Sequence, residues 1–158
     1  MKENQTNLWT KIVKKLIEMN LTISTMESCT GGGISNEITN ISGASSIFRE
    51  AYVTYSNEAK IKQGVSRDII EKYTVYSQKT SIEMAKNIAQ FAKSNISVGI
   101  TGELGNTLNN SPKVYYTVYF KDKNKYINKT ITTTKNKRKD MKEEIAKKVF
   151  EDIWEEIK

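Results

Sequence analysis

Apolar residues fall into two kinds of pattern along this chain. One kind recurs every three or four positions, the spacing of an amphipathic helix. Leu8, Ile12, Leu16 and Met19 mark such a stripe over 4–19, with Thr6 as a candidate cap. Ile82, Ala85, Ile88, Ala89 and Ala92 mark a second over 78–93, and Met141, Ile145, Val149, Ile153 and Ile157 a third from 136 to the end. The other kind is a short run rich in Ile, Val, Thr and Tyr, which reads as a strand. Such runs occur at 21–26, 51–55, 95–100, 114–120 and 126–132, the last two joined through Lys121-Asp-Lys-Asn124 as a hairpin. Shorter helices are predicted from Gly33 to about Asn40, from Asn57 to about Gln63, and after Ser66, with Asp68 in the first turn.

Strands and helices alternate through the first hundred residues, and the hairpin and a closing helix follow. That order predicts the α/β class: a three-layer α/β/α sandwich with a mixed sheet, in one domain over 1–158. Ligands in such folds gather at the carboxyl ends of the strands. Three polar turns fall there, at 27–33, 56–60 and 101–105, and they are expected to converge on one crevice.

Composition narrows the chemistry. The 158 residues include no histidine and a single cysteine, Cys29. Ser-His-Asp and Cys-His catalysis are therefore excluded, as are the usual zinc sites. One cysteine forms no internal disulfide, which suits a reducing compartment. The first residues carry no apolar core of signal-peptide type, and no apolar run approaches the ~18 residues of a membrane span, so a cytoplasmic location is expected. The net charge is +7, and the segment 121–142 carries all of it, with eight lysines and Arg138 against Asp122 and Asp140. A basic stretch can bind nucleic acid, but lysines on an edge hairpin also guard against strand pairing. The second reading is preferred, so neither nucleic acid nor membrane is expected as a partner.

The turns hold the reactive groups. Glu27-Ser-Cys-Thr-Gly-Gly-Gly33 is a strand-to-helix turn whose backbone N–H groups can cradle an anion. Ser42-Gly-Ala-Ser-Ser46 adds hydroxyls, though Ser45 and Ser46 also suit a helix cap. Thr54-Tyr-Ser-Asn-Glu-Ala-Lys60 places a phenol, an amide, a carboxylate and an amine within seven residues. Without histidine the general base must be something else. A lysine serves if burial or positive neighbours lower its pKa, and serine with lysine is a histidine-free nucleophile and base. Cys29 reads better as a small buried residue than as a nucleophile.

Thr25-Met-Glu-Ser-Cys-Thr-Gly-Gly32, Ser42-Gly-Ala-Ser-Ser46 and Tyr52-Val-Thr-Tyr-Ser-Asn-Glu-Ala-Lys60 closely resemble the CinA C-terminal domain family over essentially the whole chain. The resemblance implies a dimeric α/β/α protein that hydrolyses nicotinamide mononucleotide to nicotinic acid mononucleotide and ammonia, with no metal or cofactor. It places the nucleophile on Ser45 and its partners on Lys60 and Tyr55, with Lys60 reached through the tyrosine. It implies substrate binding by Ser28, Thr30, Gly31, Thr101 and Arg138. Arg138 would hold the substrate phosphate or keep Lys60 deprotonated. The alternatives are an amidase for another nucleotide-like amide and a CinA-like binding protein with impaired catalysis. The chain departs from the family pattern at Glu103 to Asn110, and at Tyr116, a bulky residue where a small one is usual and where it could fill ligand space.

Overall fold

The computed structural model describes residues 2–105 and 112–158, the first six of them by backbone alone. Five strands form one sheet in the order β2-β1-β3-β4-β5. These are β1 (Ile23–Glu27), β2 (Phe48–Val53), β3 (Ile96–Gly102), β4 (Lys113–Phe120) and β5 (Lys125–Thr132). β1 runs parallel to both β2 and β3, while β4 is antiparallel to both of its neighbours, β3 and β5. The sheet is therefore mixed, as the order of elements predicts. Helices α1 (Lys2–Met19), α2 (Gly33–Thr39) and α6 (Arg138–Ile157) pack together on one face. Helices α3 (Asn57–Lys62), α4 (Arg67–Tyr73) and α5 (Gln78–Ala92) cover the other.

Alternation along the strands assigns each residue to a face. Ile96, Val98 and Ile100 of β3 and Val114, Tyr116 and Val118 of β4 enter the larger core with α1, α2 and α6. The residues between them, Ser97, Gly99, Thr101 and Thr117, turn to α5. Gly99 is required there: a Cβ would stand 2.3 Å from the Ser81 carbonyl oxygen and 2.4 Å from the Ala85 nitrogen. The helix backbone lies almost on the strand.

Several sequence expectations shift. The second strand spans 48–53 rather than 51–55, so Tyr55 stands beyond the sheet rather than in it. Its partner β1 is only five residues long and sets the length of the ladder. Thr6 lies within α1 rather than at its start. Met19 is 43% exposed, and Trp9 and Val13 are buried instead, so the buried stripe of α1 runs through neighbouring positions. The apolar stripe of α6 is buried along its whole length. Tyr116 points away from the crevice: it is buried under α6 and donates a hydrogen bond to Asp152 at 2.6 Å. It takes up core volume, not ligand space.

Candidate active site

The ends of β1, β2 and β3 open into a cleft of about 340 Å³. Its lining includes Ser28 and Cys29 after β1, Tyr55, Asn57 and Lys60 after β2, Thr101 to Leu104 at the end of β3, and Arg138 from α6. Val75 and Tyr76, in the loop before α5, complete the wall. Each of the three polar turns singled out in the sequence contributes to it.

Glu27 fixes the turn that carries Ser28 without itself lining the cleft. Its side chain is fully buried and its carboxylate accepts from the Ile34 N–H at 2.8 Å, the Ser35 N–H at 3.0 Å and the Thr30 hydroxyl at 2.7 Å. The Ser35 and Thr25 hydroxyls add two more bonds, at 2.6 and 3.2 Å. A buried carboxylate needs this many donors to offset its lost hydration. It also satisfies the open N–H groups at the start of α2. The turn from Ser28 to Gly33 is thereby fixed. Ser28 itself is tied to β3, its N–H donating to the Ile100 carbonyl at 3.0 Å.

Lys60 is the unusual group. It sits on α3, whose first turn is capped by the Ser56 hydroxyl accepting from the Ala59 N–H. Its side chain is only 1% exposed, yet it has no carboxylate partner among the described residues. Nζ donates to Ser28 Oγ at 2.9 Å and to the Thr54 carbonyl oxygen at 2.8 Å. Burial lowers its pKa to about 8, because removing the ammonium from water favours the neutral amine. The Cys29 thiol next to Ser28 is pushed up to about 12, also by burial, so it stays protonated and non-nucleophilic.

The remaining predicted residues separate into two groups. Thr101 lines the cleft and donates to the Val75 carbonyl at 2.8 Å. Arg138 stands at the mouth, donating to the Leu104 carbonyl and, at 3.3 Å, to the Tyr55 hydroxyl. Thr30 and Gly31 are not on the cleft wall. The Thr30 hydroxyl is spent on Glu27, and Gly31, at φ +59°, backs onto Lys142 of α6. Tyr55 does not reach Lys60; the residue is 63% exposed and its hydroxyl accepts from Arg138.

Ser45 does not face Lys60 either. It lies in a single 3-10 turn, Ala44–Ser46, that leads into the amino end of β2, and it is exposed. The next residue, Ile47, accepts from the N–H of Ile23, the first residue of β1. The turn therefore sits at the amino edge of the sheet, roughly 17 Å of strand away from the carboxyl edge. The hydroxyl that meets Lys60 within this chain is that of Ser28. Among the described residues no group of three or more His, Cys, Asp or Glu side chains is placed to hold a metal ion. No helix among them is long and apolar enough to cross a membrane.

Sequence reasoning missed the structural role of Glu27 and the wall residues Asn57, Val75, Tyr76 and Leu104. Glu27 carries a signal, a lone carboxylate ending a strand just before a helix start. The loop residues carry none, because only packing brings them to the cleft. Of the divergent stretch 103–110, Asn106 to Asn110 lie outside the described residues, while Glu103 and Leu104 are on the wall.

Comparison with known proteins gives a consistent result. The family model described as the CinA C-terminal domain matches residues 5–157. A relative from Clostridioides difficile, named for competence-damage induction, is 41% identical over 126 residues, which is 77% of this chain and 30% of that protein. A CinA-like protein of Kosmotoga olearia is 43% identical over 68% of this chain and 26% of its own length. The chain thus spans less than a third of these relatives. Among solved structures, the competence or damage-inducible protein of Enterobacter asburiae superposes with a TM-score of 0.88 at 24% identity, covering 98% of both chains. That likeness shows the fold.

Proposed function

Because the chain belongs to the CinA C-terminal domain family, we propose that it is an amidohydrolase that converts nicotinamide mononucleotide to nicotinic acid mononucleotide and ammonia, with Ser28 as nucleophile and Lys60 as base. One observation carries this reading. The buried Lys60 amine, its pKa depressed to about 8, lies 2.9 Å from the Ser28 hydroxyl. A lysine kept out of water without a carboxylate partner costs stability, and its proximity to a hydroxyl gives that cost a use.

Neutral Lys60 takes the Ser28 proton as Oγ bonds to the amide carbon. The backbone N–H of Thr30, which donates to no described residue, is available to the oxyanion. The Lys60 ammonium returns the proton to the amide nitrogen, the C–N bond breaks and ammonia leaves. Water, activated by the same amine, then hydrolyses the ester on Ser28. The Thr54 carbonyl accepts one N–H of Lys60 throughout, which leaves the lone pair of the neutral amine to take up the Ser28 proton and give it back. Thr101 has acceptor capacity left for the carboxamide NH₂, and Arg138 at the mouth suits the phosphate. The depression of Lys60 comes from burial, with no cationic neighbour contributing, so phosphate binding is the better role for Arg138.

The test is ammonia release from nicotinamide mononucleotide by the purified protein, alongside Ser28→Ala and Lys60→Met. The expected result is turnover abolished in both variants and retained in Ser45→Ala. Absence of turnover in the parent protein, or full activity in Ser28→Ala, would overturn the reading.

A further inference from the structure

Tyr76 is not among the residues that the proposed chemistry uses, yet it lies on the cleft wall as an exposed residue, 53% accessible. Large aromatic rings are normally covered, and one presented at a cleft mouth offers an unpaired π-face. Among the described residues it stacks on no other ring and carries no cation over its face.

The loop that holds Tyr76 is strained and heavily fastened. Thr74 adopts φ +63°, ψ 176°, a conformation that a β-branched residue rarely takes. Such a backbone persists only where its surroundings over-determine it, and it clusters at ligand-binding segments. Here the Thr74 carbonyl accepts from the Ser77 hydroxyl at 3.0 Å and the Thr80 hydroxyl at 2.7 Å. The Thr74 hydroxyl accepts from the Tyr76 N–H at 3.1 Å, and the Val75 carbonyl accepts from Thr101 at 2.8 Å. Each residue from 74 to 76 is thus pinned, and the last pin is to Thr101, itself a wall of the same cleft. A ring on a fixed backbone loses little entropy when it stacks on a ligand.

The two exposed tyrosines of the cleft are differently engaged. Tyr55 is tied through its hydroxyl to Arg138, which serves an anionic group. Tyr76 has no such neighbour and is approached through Val75 and Thr101, the part of the wall next to the proposed carboxamide position. We propose that Tyr76 is a specificity-determining residue, a stacking platform for a flat cationic ring bearing the amide. It would favour an N-substituted pyridinium carboxamide over a neutral ring or an aliphatic amide. This rests on the amidase reading for the orientation of the ligand, but its binding signature is separable from turnover.

The experiment uses the Ser28→Ala protein, which cannot turn over, and two probes of nearly the same shape: 1-methylnicotinamide, a cation, and benzamide, which is neutral. Affinities are measured by calorimetry in that background and with Tyr76→Phe, Tyr76→Val or Tyr76→Ala added. The cation is expected to bind more tightly than benzamide, and Tyr76→Phe is expected to keep the preference. The Val and Ala variants should lose roughly 5- to 30-fold for the cation and much less for benzamide. In the active background the loss on nicotinamide mononucleotide should fall in KM rather than kcat. Equal affinity for the two probes, or an undiminished preference in Tyr76→Ala with an unchanged melting temperature, overturns the platform. If the parent protein releases no ammonia but the preference and its loss are seen, the amidase reading fails and the platform stands. If turnover is present without the preference, the reverse holds.

Discussion

The two faces of the sheet are made by the same strands and serve opposite ends. Toward α1, α2 and α6 the strands present Ile23, Ile96, Val98, Ile100, Val114 and Val118, part of one continuous apolar core. Toward α3, α4 and α5 they present Ser24, Ser97, Gly99, Thr101 and Thr117, and only a small cluster around Met26, Met84 and Ile88 is apolar. The first face supplies hydrophobic stabilisation, at about 1.5–3 kcal/mol for each fully buried aliphatic side chain. The second gives up that gain. Its small residues let α5 approach closely, and their hydroxyls tie loops together, as Thr101 ties Val75 and Ser81 meets Thr117. It also buries an amine without a counter-charge. Stability is concentrated on one face, while the Lys60–Ser28 pair stands at the carboxyl edge of the other and is met there by Arg138 and Leu104 from the first.

That division can be broken first at the cleft. Ser28→Ala or Lys60→Met should reduce amide hydrolysis on the order of 10³-fold or more, measured as ammonia release, with native far-ultraviolet circular dichroism. Loss of structure with loss of activity would contradict the separation. Next, Ile145→Ala removes a fully buried side chain of α6. It should cost about 2–5 kcal/mol in denaturant unfolding while kcat per folded molecule is kept.

Lys60 tests the division in the other direction. Its pKa is about 8 in the folded protein against 10.5 ordinarily. Between these values the unfolded chain binds the extra proton, so stability should rise with pH from about 8 to 10.5 and be lowest below 8. The span corresponds to a cost of about 3 kcal/mol below pH 8. Lys60→Met should remove this pH dependence and match or exceed the parent melting temperature at pH 7. Activity should rise through pH 8 as the amine becomes neutral. A pH-independent difference between parent and Lys60→Met would sink the assignment. The smallest effect belongs to Ser45→Ala, which should change turnover by less than about twofold, since Ser45 stands exposed at the other edge of the sheet. A large loss there would return the nucleophile to that turn.

Much of this is legible in the sequence. The stripe Met141, Ile145, Val149, Ile153 and Ile157 named the buried side of α6 because every member repeats at the helical period. Met19 departs from the predicted stripe because a helix end can carry an apolar residue beyond the last packed turn; it remains 43% exposed. The bounds of the second strand are not legible because β2 is an edge strand with mixed exposure, so its alternation is blurred. The Lys60 base was legible as a candidate from the lack of histidine, but its depressed pKa was not, because burial depends on what packs over it.

The sequence by itself determined the class of fold, the three turns that meet at the cleft and the family. These depend on residue order, hydrophobic period and local motifs, all of which are short-range properties. Only the tertiary structure decided which hydroxyl faces Lys60. Ser28 and Lys60 are 32 positions apart and meet at 2.9 Å because β1 and β2 are parallel neighbours with their carboxyl ends side by side. Ser45 is nearer to Lys60 in sequence, but β2 lies between them and carries them to opposite edges of the sheet. A strand separates what it connects, and its pairing joins what the chain keeps apart.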